Sequence, residues 1–317
     1  MNRQPPDLVQ SSLDTIGMTP LVQLQKVVPP ESATVLMKLE YFNPTGSYKD
    51  RMALAMIEEA EARGDLKPGM PVVEYTGGST GSSLALICSV KGYRFIVVSS
   101  DAFSQEKLDT MRAFGAELHV VPSEGGKVTP SLIPKMIEKA QAIADEEGAY
   151  FTNQLHNSDS ITGYRTIGRE LTEQVGAELD VFCTAVGTAG ALMGVSQELK
   201  LAYPDIKIVA LEPSTTAVIS GGEPGEHHVE GIGIGYVPPH LDKNFYDEAR
   251  PIDETYARDM VRALAREEGI FVGTSSGLNA VGAIELAKEL GPGKTVVTIA
   301  VDTGLKYLAG DLFSGKA

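Results

Sequence analysis

Two alternating patterns of apolar and polar positions run along this chain. Short β-branched and apolar runs predict strands at 34–40, 71–75, 94–98, 117–121, 180–186, 207–211 and 295–301. Between them, apolar residues recur every three to four positions, which predicts helices. Met52, Ala53, Met56, Ile57 and Ala60 mark the first, and Gly64 closes it. Further helices are predicted at 84–90, 105–114, 131–147, 192–203 and 254–268, and from 273–277 to about 290. Strands alternating with helices of about 10–15 residues predict an α/β fold, mostly parallel sheet with helices on both faces. Residues 1–33 are polar and proline-dotted around one apolar piece, 20–24. Section 213–250 is irregular and rich in Gly and Pro. A loop that long is usually functional.

Composition narrows the picture. The chain has 317 residues, more than one core usually fills, so two lobes are expected. Hydrophobic content of 43% supplies ample core material. A formal net charge of −15 argues against a nucleic-acid partner, which needs a basic face. It leaves room for a small anion held by backbone amides. Cys88 and Cys183 lie in apolar segments and suggest buried thiols. No apolar run reaches the ~18 residues of a membrane span, and residues 1–9 do not read as a leader. The expected home is the reducing cytoplasm.

Candidate chemistry centres on Lys49, in Asn43-Pro44-Thr45-Gly46-Ser47-Tyr48-Lys49-Asp50-Arg51. It sits where a strand and turn hand over to the first turn of a helix. The positive end of the helix dipole disfavours an ammonium there, and burial would lower its pKa further. A neutral amine can attack a carbonyl and form a Schiff base. The plain alternative is a solvated charge at a helix start. Three loops follow predicted strands: 76–81, 187–191 and 302–304. Ligands of open α/β sheets collect at those strand ends, and the first two loops lead into helices whose free N–H groups suit a phosphate or carboxylate. Gly273-Thr274-Ser275-Ser276-Gly277 matches a hydrolase elbow, but no histidine follows it in the chain. Asp302-Thr303-Gly304 has no second copy for a carboxylate pair. His227-His228 lacks supporting ligand spacing, so no metal is expected and a solvated loop pair is the simpler reading.

The order of these motifs resembles the cysteine synthase (O-acetylserine sulfhydrylase) group of fold-type II pyridoxal-phosphate (PLP) enzymes. The similarity runs from Ile16-Gly17-Met18-Thr19-Pro20-Leu21-Val22 to Lys306-Tyr307-Leu308. It implies two lobes of mostly parallel sheet, similar to the tryptophan synthase β fold. Residues 1–39 and 147–317 would form the large lobe, and 40–146 a small mobile one. Lys49 matches the Schiff-base lysine, and therefore the catalytic base. Thr76, Gly77, Gly78, Ser79 and Thr80 match the loop that grips the substrate carboxylate, with Gln154 assisting. Gly187, Thr188, Ala189, Gly190 and Ala191 match the phosphate cradle. Glu230 to Gly235, with Gly233 central, matches a loop lining the cofactor. Thr303 matches the hydroxyl residue facing the pyridine nitrogen. A hydroxyl there leaves the ring a weaker electron sink and favours β-elimination chemistry. The implied reaction replaces the β-substituent of a serine-derived amino acid through an aminoacrylate, in a cytoplasmic homodimer.

This chain also departs from the family pattern. Thr76-Gly77-Gly78-Ser79-Thr80 stands where Thr-Ser-Gly-Asn-Thr is usual, so Ser79 replaces an asparagine that approaches the cofactor's phenolic oxygen. Ala189 and Ala191 replace a glycine and a threonine of the cradle, at a cost of about 1.5–3 kcal/mol if the lost phosphate hydrogen bond is not replaced. Two rival readings follow: a serine/threonine dehydratase-like lyase, and a degenerate PLP-fold binding or regulatory protein. The intact Lys49 weighs against the second.

Overall fold

The periodic segments fold into two sheets, seen in a computed structural model that describes residues 8–127, 129, 131–176 and 178–314. The larger sheet contains β1 (Leu21–Gln23), β2 (Thr34–Leu39), β7 (Val181–Ala185), β8 (Lys207–Pro213), β9 (Glu248–Ile252) and β10 (Thr295–Ala300). Their order is β1-β2-β10-β7-β8-β9, and only the β1–β2 pair is antiparallel. The smaller sheet, β5-β4-β3-β6, is all parallel. It comprises β3 (Val72–Tyr75), β4 (Phe95–Ser100), β5 (Glu117–Val121) and β6 (Tyr150–Phe151). Strands β3, β4 and β7 are buried at every position, as parallel strands covered on both faces must be.

Eight α-helices cover these sheets: α1 (Lys49–Arg63), α2 (Ser79–Lys91), α3 (Gln105–Ala113), α4 (Leu132–Glu147), α5 (Asp159–Val175), α6 (Gly190–Ala202), α7 (Glu254–Ala263) and α8 (Thr274–Leu290). The expected helix 254–268 is there, but its last turn, Leu264–Glu268, widens into a π turn. Helices α1, α2, α4 and α5 end on left-handed glycines: Gly64, Gly92, Gly148 and Gly176. Glycine reaches that conformation without strain. Among the described residues no helix is long and apolar enough to cross a membrane.

Two features differ from the sequence reading. Strand β6 pairs with Val72 and Val73, so the small sheet runs past the boundary expected after residue 146. Two residues carry too little periodicity to signal a strand. Strand β9 closes the section expected to be irregular to residue 250. Its Pro251 fits an edge strand, where one side needs no backbone donor.

Helix α5 holds the two halves together. Sequence periodicity had not assigned it, yet its Tyr164, Ile167 and Leu171 are fully buried. A Cβ at Gly163 would lie 2.5 Å from the Arg51 carbonyl of α1, and one at Gly194 of α6 would lie 2.5 Å from the Ile161 carbonyl. The three backbones therefore approach as closely as glycine permits. Arg51 adds polar links, donating to Glu40 beyond β2 and to Glu170 of α5. Burial pushes the Glu170 carboxyl up, but hydrogen bonds from Arg51 and Lys38 prevail and hold it at about 2. Gly194→Ala should cost about 1–3 kcal/mol through overpacking, read as a lower urea midpoint. An unchanged midpoint would contradict this close α5–α6 contact.

Candidate cofactor and active site

Lys49 is placed by the turn before it. Asn43 Nδ2 donates to the Glu40 carbonyl at 2.8 Å, and Gly46 N donates to the Asn43 carbonyl at 2.7 Å. Gly46 has φ of +73°, and a Cβ there would lie 2.6 Å from the Thr303 methyl. The turn then hydrogen-bonds across to the end of β10. Tyr48 N donates to the Val301 carbonyl at 3.0 Å, and Thr303 N to the Gly46 carbonyl at 2.9 Å. Lys49 thus occupies the first position of α1 beside Asp302 and Thr303.

There Lys49 is half-buried. Burial lowers its ammonium pKa to about 8, while Asp302 and Glu74 oppose the shift through their charge. Its Nζ lies 5.1 Å from the Tyr48 ring centroid. Tyr48 packs on Tyr164 of α5 with centroids 5.0 Å apart, and Tyr164 in turn abuts Gly190. Two tyrosines therefore join Lys49 to the loop expected to hold phosphate.

That loop, Gly187 to Ala191, runs from β7 into α6. Its first helical N–H groups have no partner within the helix, and the dipole adds positive potential there. A Cβ at Gly187 would lie 2.4 Å from the Gly231 carbonyl, so only glycine allows the 230–235 loop to close over it. Gly233 N donates to the Val186 carbonyl at 3.0 Å. Ala189 has φ of +68°, so alanine here takes a left-handed conformation at a cost of about 1–2 kcal/mol.

Two buried hydroxyls beside these loops, Ser160 Oγ and Thr216 Oγ1, lack a partner among the described residues. A Cβ at Gly190 would lie 3.1 Å from Ser160 Oγ, and one at Gly233 would lie 2.9 Å from the Thr216 methyl. Aligned N–H groups, a helix terminus and a spare hydroxyl suit a phosphate. A desolvated amine in the same cleft suits an aldehyde, so these residues fit PLP. Ser160 Oγ lies beside Gly190, one residue before Ala191.

On the opposite wall, Thr76 to Thr80 runs from β3 into α2. Gly77 is compelled by packing, since a Cβ there would lie 2.1 Å from the Phe103 ring. Thr80 Oγ1 donates to Gln154 Oε1 at 2.7 Å. Gln154 N donates to Glu74 Oε2 at 3.0 Å, and Glu74 also accepts from Thr152 Oγ1 and Tyr75 N. Burial raises the Glu74 carboxyl to about 7 against these three bonds. Ser79 Oγ accepts from Lys306 Nζ at 3.0 Å.

The remaining expected residues line the back of the site. Thr303 Oγ1 accepts from Leu305 N at 3.3 Å and caps the turn Gly304–Tyr307. Asp302 accepts from the Tyr307 hydroxyl at 2.9 Å, and burial raises its pKa. The serine-rich segment set aside as a hydrolase elbow starts α8 behind them: Gly273 N donates to the Asp302 carbonyl, and Ser276 Oγ accepts from Val301 N. His227 is not a solvated partner of His228, because its Nε2 hydrogen-bonds the Gly233 carbonyl at 2.8 Å and braces the glycine loop. Sequence reasoning missed Glu74, Ser160 and Lys306. Glu74 alone left a signal, as a carboxylate inside an otherwise apolar strand.

The fold and this cleft define a class, the fold-type II PLP-dependent enzymes. Residues 13–302 match the family model described as pyridoxal-phosphate dependent enzyme. A cysteine synthase of Staphylococcus aureus is 43% identical over 308 residues, covering 96% of this chain and 97% of that protein. O-ureido-L-serine synthase of Streptomyces lavendulae is 40% identical over 310 residues, covering 97% and 94%. The crystal structure of cysteine synthase from Entamoeba histolytica superposes with a TM-score of 0.93 at 36% identity, covering 100% of this chain and 95% of that one. The chain belongs to the cysteine synthase family of PLP-dependent enzymes.

Glu74 generates a prediction. Its carboxyl holds a proton more tightly folded (about 7) than at its ordinary 4.5, so its contribution to stability is lost as pH rises through that window. Glu74→Gln does not titrate. Its stability relative to the parent should rise between pH 4.5 and 7, by up to about 3 kcal/mol, in urea unfolding of the PLP-free protein. A flat difference would show that Glu74 is not desolvated.

Proposed function

We propose that this protein replaces the β-substituent of a serine-derived amino acid by PLP-dependent chemistry. The observation that carries the reading is Lys49, an amine with pKa lowered to about 8 in a cleft between an N–H cradle and a carboxylate-type loop. The similarity to cysteine synthases and to an O-ureido-L-serine synthase supports it.

When bound, PLP supplies an aldehyde carbon open to amines and a ring that acidifies the substrate Cα–H. Gly187 to Ala191 hold its phosphate, helped by Ser160, with the Gly233 loop alongside. By the family resemblance, Ser79 would face the phenolic oxygen and Thr303 the pyridine nitrogen. The substrate carboxylate binds Thr76, Gly77, Gly78, Ser79 and Thr80, and Gln154 orients Thr80. Lys49 Nζ, about a tenth neutral at pH 7, takes the α-proton as general base. The β-group would leave with its bonding electrons, a nucleophile would bond to the same carbon, and Lys49 would return its proton to Cα. The small lobe, residues 40–146 extended by β6, closes over the substrate and excludes water. Homodimeric assembly and a cytoplasmic location belong to the same reading. Two free, buried cysteines agree with a reducing compartment.

The test is product analysis on PLP-loaded protein. With O-acetylserine or another activated serine and sulfide, mass spectrometry should find the β-substituted amino acid. Lys49→Ala should lower its rate by about 10²- to 10⁴-fold or more. Release of ammonia and keto acid alone, with sulfide present, would assign the protein to the elimination lyases instead.

A further inference from the structure

Two lysines in the cleft are not used by this chemistry. Lys107 of α3 is 5% exposed, and Lys306 follows the Asp302–Thr303 turn. They lie close enough for Lys107 to act on the Lys306 charge, and Lys107 Nζ sits 5.0 Å from the ring centroid of Tyr307, next to Lys306 in the chain. Lys107 is almost wholly withdrawn from water and Lys306 half so, and an ammonium group so placed needs compensation.

Lys306 receives little from the protein. Its Nζ has three donors, and among the described residues its one hydrogen bond is to Ser79 Oγ at 3.0 Å. Asp50 and Asp302 lie near enough for their charges to act on Lys306, and Asp302 also acts on Lys107, but neither takes a hydrogen bond from Lys306 among the described residues. Asp50 accepts from Thr45 N, Thr45 Oγ1 and Ser83 Oγ. Asp302 Oδ2 accepts from Tyr307, and its Oδ1, facing Gly273, is buried without a partner among the described residues. Lys107 pairs with Glu230, but that carboxylate is 53% exposed at the rim. Glu230 adjoins Gly231, whose φ is +81°, on the loop that covers the cradle. Such a partner can swing out into water at small cost. The two ammonium groups therefore stand between the substrate-carboxylate loop, through Ser79, and the cofactor-facing loop, through Glu230.

We propose that Lys107 and Lys306 form an anion subsite, which takes a negatively charged group carried by a reacting small molecule. That group is the departing β-substituent, as in a phosphoserine, or part of the incoming nucleophile, as in an acidic amino acid. Glu230 holds Lys107 until the anion arrives. The inference rests on the β-replacement reading and narrows its substrates to charged ones.

The experiment uses PLP-loaded protein. One arm compares kcat/KM for O-phosphoserine and O-acetylserine with sulfide. The other compares glutamate and sulfide as nucleophiles with O-acetylserine. In one arm the charged reactant should be preferred. Lys107→Met and Lys306→Met should each cut that preference about 10- to 100-fold, and Lys306→Arg should restore most of it. The arm that responds identifies the source of the charge. Equal losses for charged and neutral reactants, or no preference in either arm, would overturn the subsite. Binding is read separately: inorganic phosphate should raise the melting temperature of the parent, and more strongly in Glu230→Gln, but not in the double Met variant. No rise in the parent or in Glu230→Gln would also overturn it. Failure of the β-replacement reading would look different, with no turnover of any serine derivative while phosphate still stabilises the parent.

Discussion

The site depends on keeping one amine out of water. Lys49 would be an ordinary helix-start cation if the turn at 43–47 were free to swing. The turn is instead hydrogen-bonded to the end of β10, which holds the half-buried side chain near the Tyr48 ring and within reach of the Asp302 and Glu74 charges. Desolvation outweighs the attraction of Asp302 and Glu74, so the neutral amine is accessible near physiological pH. The two carboxyls limit the shift, and their own pKa values rise because the same enclosure buries them.

Around that amine the two halves are joined by contacts that glycine makes possible. Gly163 and Gly194 let α1, α5 and α6 pack backbone to backbone, and Gly187 lets the 230–235 loop lie on the cradle. The tilted Tyr48–Tyr164 ring pair links α5 to the amine and to the glycine loop that enters α6. Departures from the family pattern make physical sense in this frame. A Cβ at Gly77 would meet the Phe103 ring as it stands, and beside Gly190, next to Ala191, lies Ser160 Oγ, without a partner among the described residues. Ser79 is engaged by Lys306, which brings a positive charge to the loop entering α2.

Much of this was legible in the chain. The strand, turn and helix around Lys49, the loops entering α2 and α6, and Gly64 at the end of α1 all follow from local patterning. Helix α5 did not, because Gly163 and Gly168 weaken its helical signal. Those glycines serve packing instead, as a Cβ at Gly168 would lie 2.7 Å from Glu198 Cβ. The two-residue β6 and the proline-bearing β9 fell below any periodicity. The pairings of Lys107 and Lys306 were invisible for another reason. Each depends on neighbours far away in sequence, such as Lys107 with Glu230 and Lys306 with Ser79.

The state of the Lys49 amine can be measured directly. PLP-free protein is mixed with PLP across a pH series, reduced with borohydride at short times, and mapped by peptide mass. The structure predicts a pyridoxyl adduct at Lys49, formed at a rate that rises with a midpoint near the lowered pKa of about 8. An adduct spread over surface lysines, or a rate at Lys49 that rises only near the ordinary lysine value of 10.5, would contradict the desolvated amine on which the site is built.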